Sequence, residues 1–137
     1  MDIKIFCVAA LLVAASPGWA GAATGYDCQF ETGTTWSYEA GAFNSEKSEP
    51  FGFRIDDISP DKQSATLVSG KGSAKLKVVE ALDAWHFIEV TVAGFLNVTT
   101  IYDGDDQHRL AAVHSRHLSI AGQPLIAQYH GTCSKLP

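Results

Sequence analysis

An antiparallel, all-β domain of about eight strands is the fold class that this chain of 137 residues predicts. Three observations point there. Apolar residues recur with period two almost everywhere, and β-branched and aromatic types dominate those positions. Turn residues punctuate the pattern at regular short intervals, which lets neighbouring strands pair antiparallel. One pair of cysteines, Cys28 and Cys133, stands near the two ends of the patterned region.

The pattern begins only after an N-terminal segment of different character. Met1 to Lys4 carries one lysine plus the amino terminus, and Ile5 to Ala15 is an unbroken apolar run. That run is shorter than the ~20 residues of a membrane-spanning helix, and it has no polar face to suit a surface helix. Ser16-Pro17-Gly18 breaks it, and Ala20-Gly21-Ala22 supplies small residues of the kind signal peptidase accepts. The order predicts a secretory signal over residues 1–22, cleaved after Ala22, and a single domain over residues 23–137. No later segment resembles a membrane span, and no cysteine follows the cleavage site to carry a lipid. Cys7 leaves with the signal, so Cys28 and Cys133 remain as an even pair in an exported chain. Such a pair reads as a disulfide tying the first strand to the last.

The strands follow in order. Tyr26, Cys28 and Phe30 alternate with polar residues, and after Gly33 the alternation continues through Trp36 and Tyr38. Ala42 to Pro50 is polar and reads as a loop. Phe51, Phe53 and Ile55 resume the pattern, and Ser59-Pro60-Asp61 makes a turn. Ser64 to Ser69 and Ala74 to Ala81 are strands about a hairpin at Gly70-Lys71-Gly72. Leu76, Val79 and Leu82 would also suit a helical turn or two between Lys75 and Ala84. His86 to Val92 and Phe95 to Tyr102 flank Ala93-Gly94. Leu110 to Ile120 and Pro124 to Cys133 flank a last hairpin at Ala121-Gly122. An up-and-down barrel leaves no exposed edge and best explains such a meander, with a two-sheet sandwich as the alternative.

Composition excludes one class of partner. Net charge is −5, and in the basic cluster Lys71, Lys75 and Lys77 the last two alternate with apolar Leu76 and Val78, as on the solvent face of a strand. Nucleic acid needs a broader basic surface.

The densest group of polar side chains is His114-Ser115-Arg116-His117, with Tyr129 and His130 on the next strand. His114 and His117 have H-x-x-H spacing, but on a strand residues three apart point to opposite faces and do not chelate one ion. A two-residue loop at Ala121-Gly122 would set Val113 opposite His130 and put His117 and His130 on one face. A three-residue loop would set His114 opposite His130 instead. An arginine inside a barrel must be paired or meet an anion, because an unpaired buried charge is very costly. The candidate ligand-binding residues are therefore His114, Arg116, His117, Tyr129 and His130. Glu89 shares a face with Phe87 and would serve as an acid or base if that face points inward. Asp103, Asp105 and Asp106 lack the EF-hand spacing and read as a solvated tip, with His108 where that loop's glycine should be. Ser115 sits in no nucleophile elbow. Asn97-Val98-Thr99 is a glycosylation sequon. No cofactor or metal is expected from these patterns.

Two resemblances add to this. Thr32-Gly33-Thr34-Thr35-Trp36, with Gly41 and Phe43 after it, resembles the first strand of avidin and streptavidin over about a dozen residues. It differs by an extra Thr before Trp36, and only Trp85 corresponds to the later tryptophans of a biotin site. The resemblance implies an eight-stranded barrel of avidin or lipocalin type and argues against biotin. Thr99 to Tyr102, Ala112 to His117 and Gln128 to Cys133 are similar to segments of uncharacterised exported proteins of α-proteobacteria. That similarity implies a periplasmic or secreted location and brings no activity with it. The function expected is a non-enzymatic binding or interaction module, for an envelope protein or for a small molecule. A small-ligand carrier with a pocket lined by His114 and Arg116 is the alternative, ahead of a His-based enzyme or a metal-binding protein. An interior holding Trp36, Tyr38, Phe51, Phe53, Phe87 and Tyr129 would be largely filled, which favours the partner protein.

Overall fold

Every element formed by the alternating sequence is a strand, and consecutive strands are hairpin neighbours except at one place. The computed structural model describes residues 24–104 and 108–137. The expected signal at residues 1–22 lies outside them. The strands are β1 (Tyr26–Glu39), β2 (Ala42–Lys47), β3 (Phe51–Ser59), β4 (Ser64–Ser69), β5 (Gly72–Glu80), β6 (Ala84–Val90), β7 (Leu96–Tyr102), β8 (Arg109–Ile120) and β9 (Gln123–Lys135). All pairings are antiparallel, and β9 returns to pair with β1. The sheet therefore closes into an eight-stranded up-and-down barrel, with β2 as one strand outside the ring.

The long first strand explains how β2 is accommodated. The N-terminal half of β1 pairs with β3, from Tyr26↔Ile55 to Phe30↔Phe51. Its C-terminal half runs past the end of β3 and pairs with β2, from Thr34↔Lys47 to Glu39↔Ala42. Residues Ala42 to Pro50 were expected as a loop, and Ala42–Lys47 is a strand instead. The whole of β2 is exposed, so no burial imprints an alternating pattern on it. Ladder hydrogen bonds and the turn at Ala40-Gly41, with φ of 51° and 79°, hold it in place. The helical alternative between Lys75 and Ala84 does not occur: β5 runs to Glu80 with Leu76 and Val78 buried, and β6 begins at Ala84.

A β-bulge in β1 reverses its faces. Phe30 pairs with Gly131 and Thr32 with His130, so Glu31 is an extra residue in the ladder. Before it, Tyr26, Cys28 and Phe30 point inward and are buried. After it, Gly33 and Thr35 take the inward positions, opposite Tyr129 and Ala127. Trp36 and Tyr38 were expected inside and stand on the outer face, Trp36 beside Ser45 and Ile126. The Tyr38 ring meets the edge of Phe43, 4.9 Å away. A bulge of this kind adds one residue and shifts the period-two pattern by one.

The interior is packed at the end where the domain's two termini meet. Tyr26, Ile55, Val78, Ile101 and Leu110 fill it, together with Cys28 and Cys133, which face each other across the β1–β9 seam and are joined. A cross-link over 105 residues contributes roughly 4–5 kcal/mol in the chain-entropy account. It also lies where the barrel closes, so it fastens the pairing of greatest sequence separation. Asp103 of the expected acidic tip forms an ion pair with Lys135 at 3.1 Å. Asp105 and Asp106 lie outside the described residues. Among the described residues no helix is long and apolar enough to cross a membrane.

Candidate functional site

The other end of the barrel is hollow. A cavity of about 610 Å³ opens there, between the β2–β3 link at Glu49 and Pro50 and the β4–β5 turn at Gly70 and Lys71. Its depth is set by β8 and β9. The β8–β9 turn has two residues, Ala121 and Gly122, with φ of 50° and 77°. Val113 consequently pairs with His130 and His114 with Tyr129. Of the expected site residues, this register turns His114, Arg116 and Tyr129 inward. It turns His117 and His130 outward, where both are exposed. The five are therefore not brought together, and the H-x-x-H pair is divided between the faces. Among the described residues no three His, Cys, Asp or Glu groups are placed to hold a metal ion.

The three inward side chains form one connected arrangement. His114 is buried, with only 3% of its surface exposed. Its ring lies among Phe30, Phe51, Phe53 and Tyr129, with centroids 5.3 to 6.1 Å away. The Arg116 Nε donates to His114 Nε2 at 3.1 Å, and His114 Nδ1 lies 2.8 Å from Thr99 Oγ1. Because the guanidinium is always a donor, Nε2 must accept, so the proton of the neutral ring sits on Nδ1 and is given to Thr99. Burial, and then the charge of Arg116, push the His114 pKa down to about 3. Its imidazole is thus uncharged at neutral pH, with both nitrogens committed.

Arg116 is half-buried, and its guanidinium carbon stands 4.5 Å from the centroid of Phe51 and 5.1 Å from that of Tyr129. The two rings supply cation–π attraction and help to hold the group in place. Phe51 and Tyr129 also contact each other, edge to face at 4.6 Å. Among the described residues no carboxylate lies within ion-pairing distance of Arg116, and the only hydrogen bond of its side chain is the one to His114.

Along the same wall, Asn97 pairs with Arg116 between β7 and β8, and Glu89 pairs with Asn97 between β6 and β7. Asn97 Nδ2 donates to Glu89 Oε2 at 3.1 Å. The sequon thereby has a different use: Asn97 lines the cavity and Thr99 holds His114. Sequence reasoning missed both, because nothing in Asn97-Val98-Thr99 shows which residues of β8 lie opposite. Register is the signal that would have found them. No protein-family model matches the chain, and no relative is found among curated proteins.

Proposed function

We propose that the chain is an exported, non-enzymatic binding module that takes one small molecule into the open end of its barrel. The observation that carries this reading is the unequal filling of the interior. Barrels of about eight strands are either filled by side chains or just wide enough for one small ligand, and here one end is packed while the other keeps about 610 Å³. The bulge at Glu31 supports it, since it moves Trp36 and Tyr38 outside and puts Gly33 and Thr35 in their place. Cavities of this size, with apolar walls and converging polar groups, suit small ligands. Export is supported by the apolar leader and by the Cys28–Cys133 disulfide, which suits an oxidising compartment. A general-base role for His114 is disfavoured, because neither ring nitrogen is free to take a proton from a substrate.

One observation favours a second reading, in which an envelope protein caps this end of the barrel. Phe43, Val90, Val92 and Ile120 are exposed on or beside the turns at that end. Thermal shifts of the mature protein against lipids, haem, bilins, metals and small organic acids decide between the two. Stabilisation by one class, abolished when Ser69→Trp fills the cavity, supports the small-molecule reading. Silence across the library, with a stable complex formed with a periplasmic protein, sinks it.

A further inference from the structure

Resting on that small-molecule reading, we infer that the ligand is a monoanionic organic acid, held by its carboxylate on the free end of the Arg116 guanidinium, with an apolar body in the cavity. Geometry selects which edge of the group is on offer. A guanidinium presents one fork along Nε and a terminal nitrogen, and another between its two terminal nitrogens. Nε donates to His114, so the end-on fork remains. Phe51 and Tyr129 pack against the guanidinium carbon, so the ligand approaches from the cavity that Arg116 lines. Two parallel N–H groups match the two oxygens of a carboxylate.

Charge within the same walls limits the ligand to one negative charge. Among the described residues that line the cavity, the cations are Arg116 on β8 and Lys71 in the turn at its rim, and the carboxylates are Glu89 on β6 and Glu49 at the β2–β3 link. Glu89 shares the cavity with Arg116, and among the described residues its carboxylate has only the neutral Asn97 amide as a hydrogen-bond partner. A dianion such as phosphate would meet one fork and one opposing carboxylate, with too few donors for its charge. The rest of the ligand faces apolar surface from Phe53 and Leu67. His114 contributes no charge, because both its nitrogens are used to hold Arg116 and Thr99. It is a positioning residue for the arginine.

Isothermal titration of the mature protein with 2-naphthoate, biphenyl-4-carboxylate and octanoate, each against its neutral primary amide, tests the inference without a variant. The acids bind at least tenfold more tightly than their amides, and inorganic phosphate competes weakly. Arg116→Gln abolishes the preference, and Arg116→Lys, which keeps the charge but not the fork, restores only part of it. Amides that bind as well as acids overturn the anion while leaving the small-molecule reading intact. Tighter binding of phosphate than of any acid overturns the monoanion. No binding by any acid, alongside a hit of another class in the thermal-shift library, overturns the inference and spares the pocket.

Discussion

Tyr129 and Gly33 stand opposite each other across the β1–β9 seam, and the tyrosine ring occupies the space that a side chain at position 33 would need. A Cβ there would lie 2.8 Å from Tyr129 Cε1 and closer still to Cδ1. The glycine therefore lets the ring lie across β1 and pack against Arg116. Gly33→Ala is expected to destabilise the domain by about 1–3 kcal/mol, the usual cost of overpacking. It is also expected to weaken acid binding more than tenfold, because the displaced ring no longer packs against the guanidinium. Urea unfolding and titration of the same sample check both. Gly131→Ala should be harsher, since its Cβ would fall on the Gln29 carbonyl oxygen and 2.7 Å from Phe30 Cα. A flexible ring can give way, whereas paired backbone cannot.

The same two positions show what the sequence made legible. Period-two alternation reports burial on one face, so the strands whose inner residues are buried were readable, and with them the closed antiparallel barrel. β2 was not, because it buries nothing and carries no pattern. The bulge at Glu31 was not, because an inserted residue leaves apolar residues on both sides of it and only the partner strand shows that the phase has changed. Within the site, His114, Arg116 and Tyr129 are legible from the density of polar side chains on one strand and its hairpin neighbour. Separating them from His117 and His130 required the register at Ala121-Gly122, which a two-residue turn with positive φ settles. Asn97 and Thr99 belong to the site only through that register.

The Cys28–Cys133 bond is buried completely, with 0% exposure at both residues. Millimolar dithiothreitol is therefore expected to leave the native protein oxidised, and to reduce it readily in 6 M urea. Mass spectrometry after alkylation reads this directly. Replacing both cysteines by serine should cost about 4 kcal/mol, seen as a lower urea midpoint. Two alkylated thiols on the native protein, without denaturant, would contradict the structure.

Alkaline stability depends on Tyr26. Burial, and then the charge of Asp103, push its phenol up to about 12. The unfolded chain releases that proton near pH 10, so between about 10 and 12 the folded state binds the extra proton and folding weakens as pH rises. Tyr26→Phe is expected to flatten the decline over that window in denaturant titrations at constant ionic strength. An unchanged slope would mean that Tyr26 ionises freely in the folded domain.

Acid stability depends on His114, and here the sign is opposite. The ring stays neutral in the fold down to about pH 3, whereas in the unfolded chain it takes up a proton near 6.5. Between those values the unfolded state binds more protons, so the free energy of unfolding falls as pH falls, by at most about 1.4 kcal/mol per unit. The groups around the ring explain why it resists protonation. Phe30, Phe51, Phe53 and Tyr129 offer no negative charge, Thr99 is neutral, and Arg116 is already cationic and needs Nε2 as its acceptor. A protonated His114 would lose that bond and face the guanidinium as a like charge. His114→Gln keeps an acceptor for Arg116 and a donor for Thr99 but does not titrate. Its unfolding free energy is expected to lie below the wild-type value at pH 7 and to depend less steeply on pH from 6.5 downward. Urea titrations at half-unit intervals from pH 7 to 4 measure the difference. If the two proteins keep the same slope throughout, His114 is protonated in the folded state, and the Arg116 Nε bond must then be made some other way.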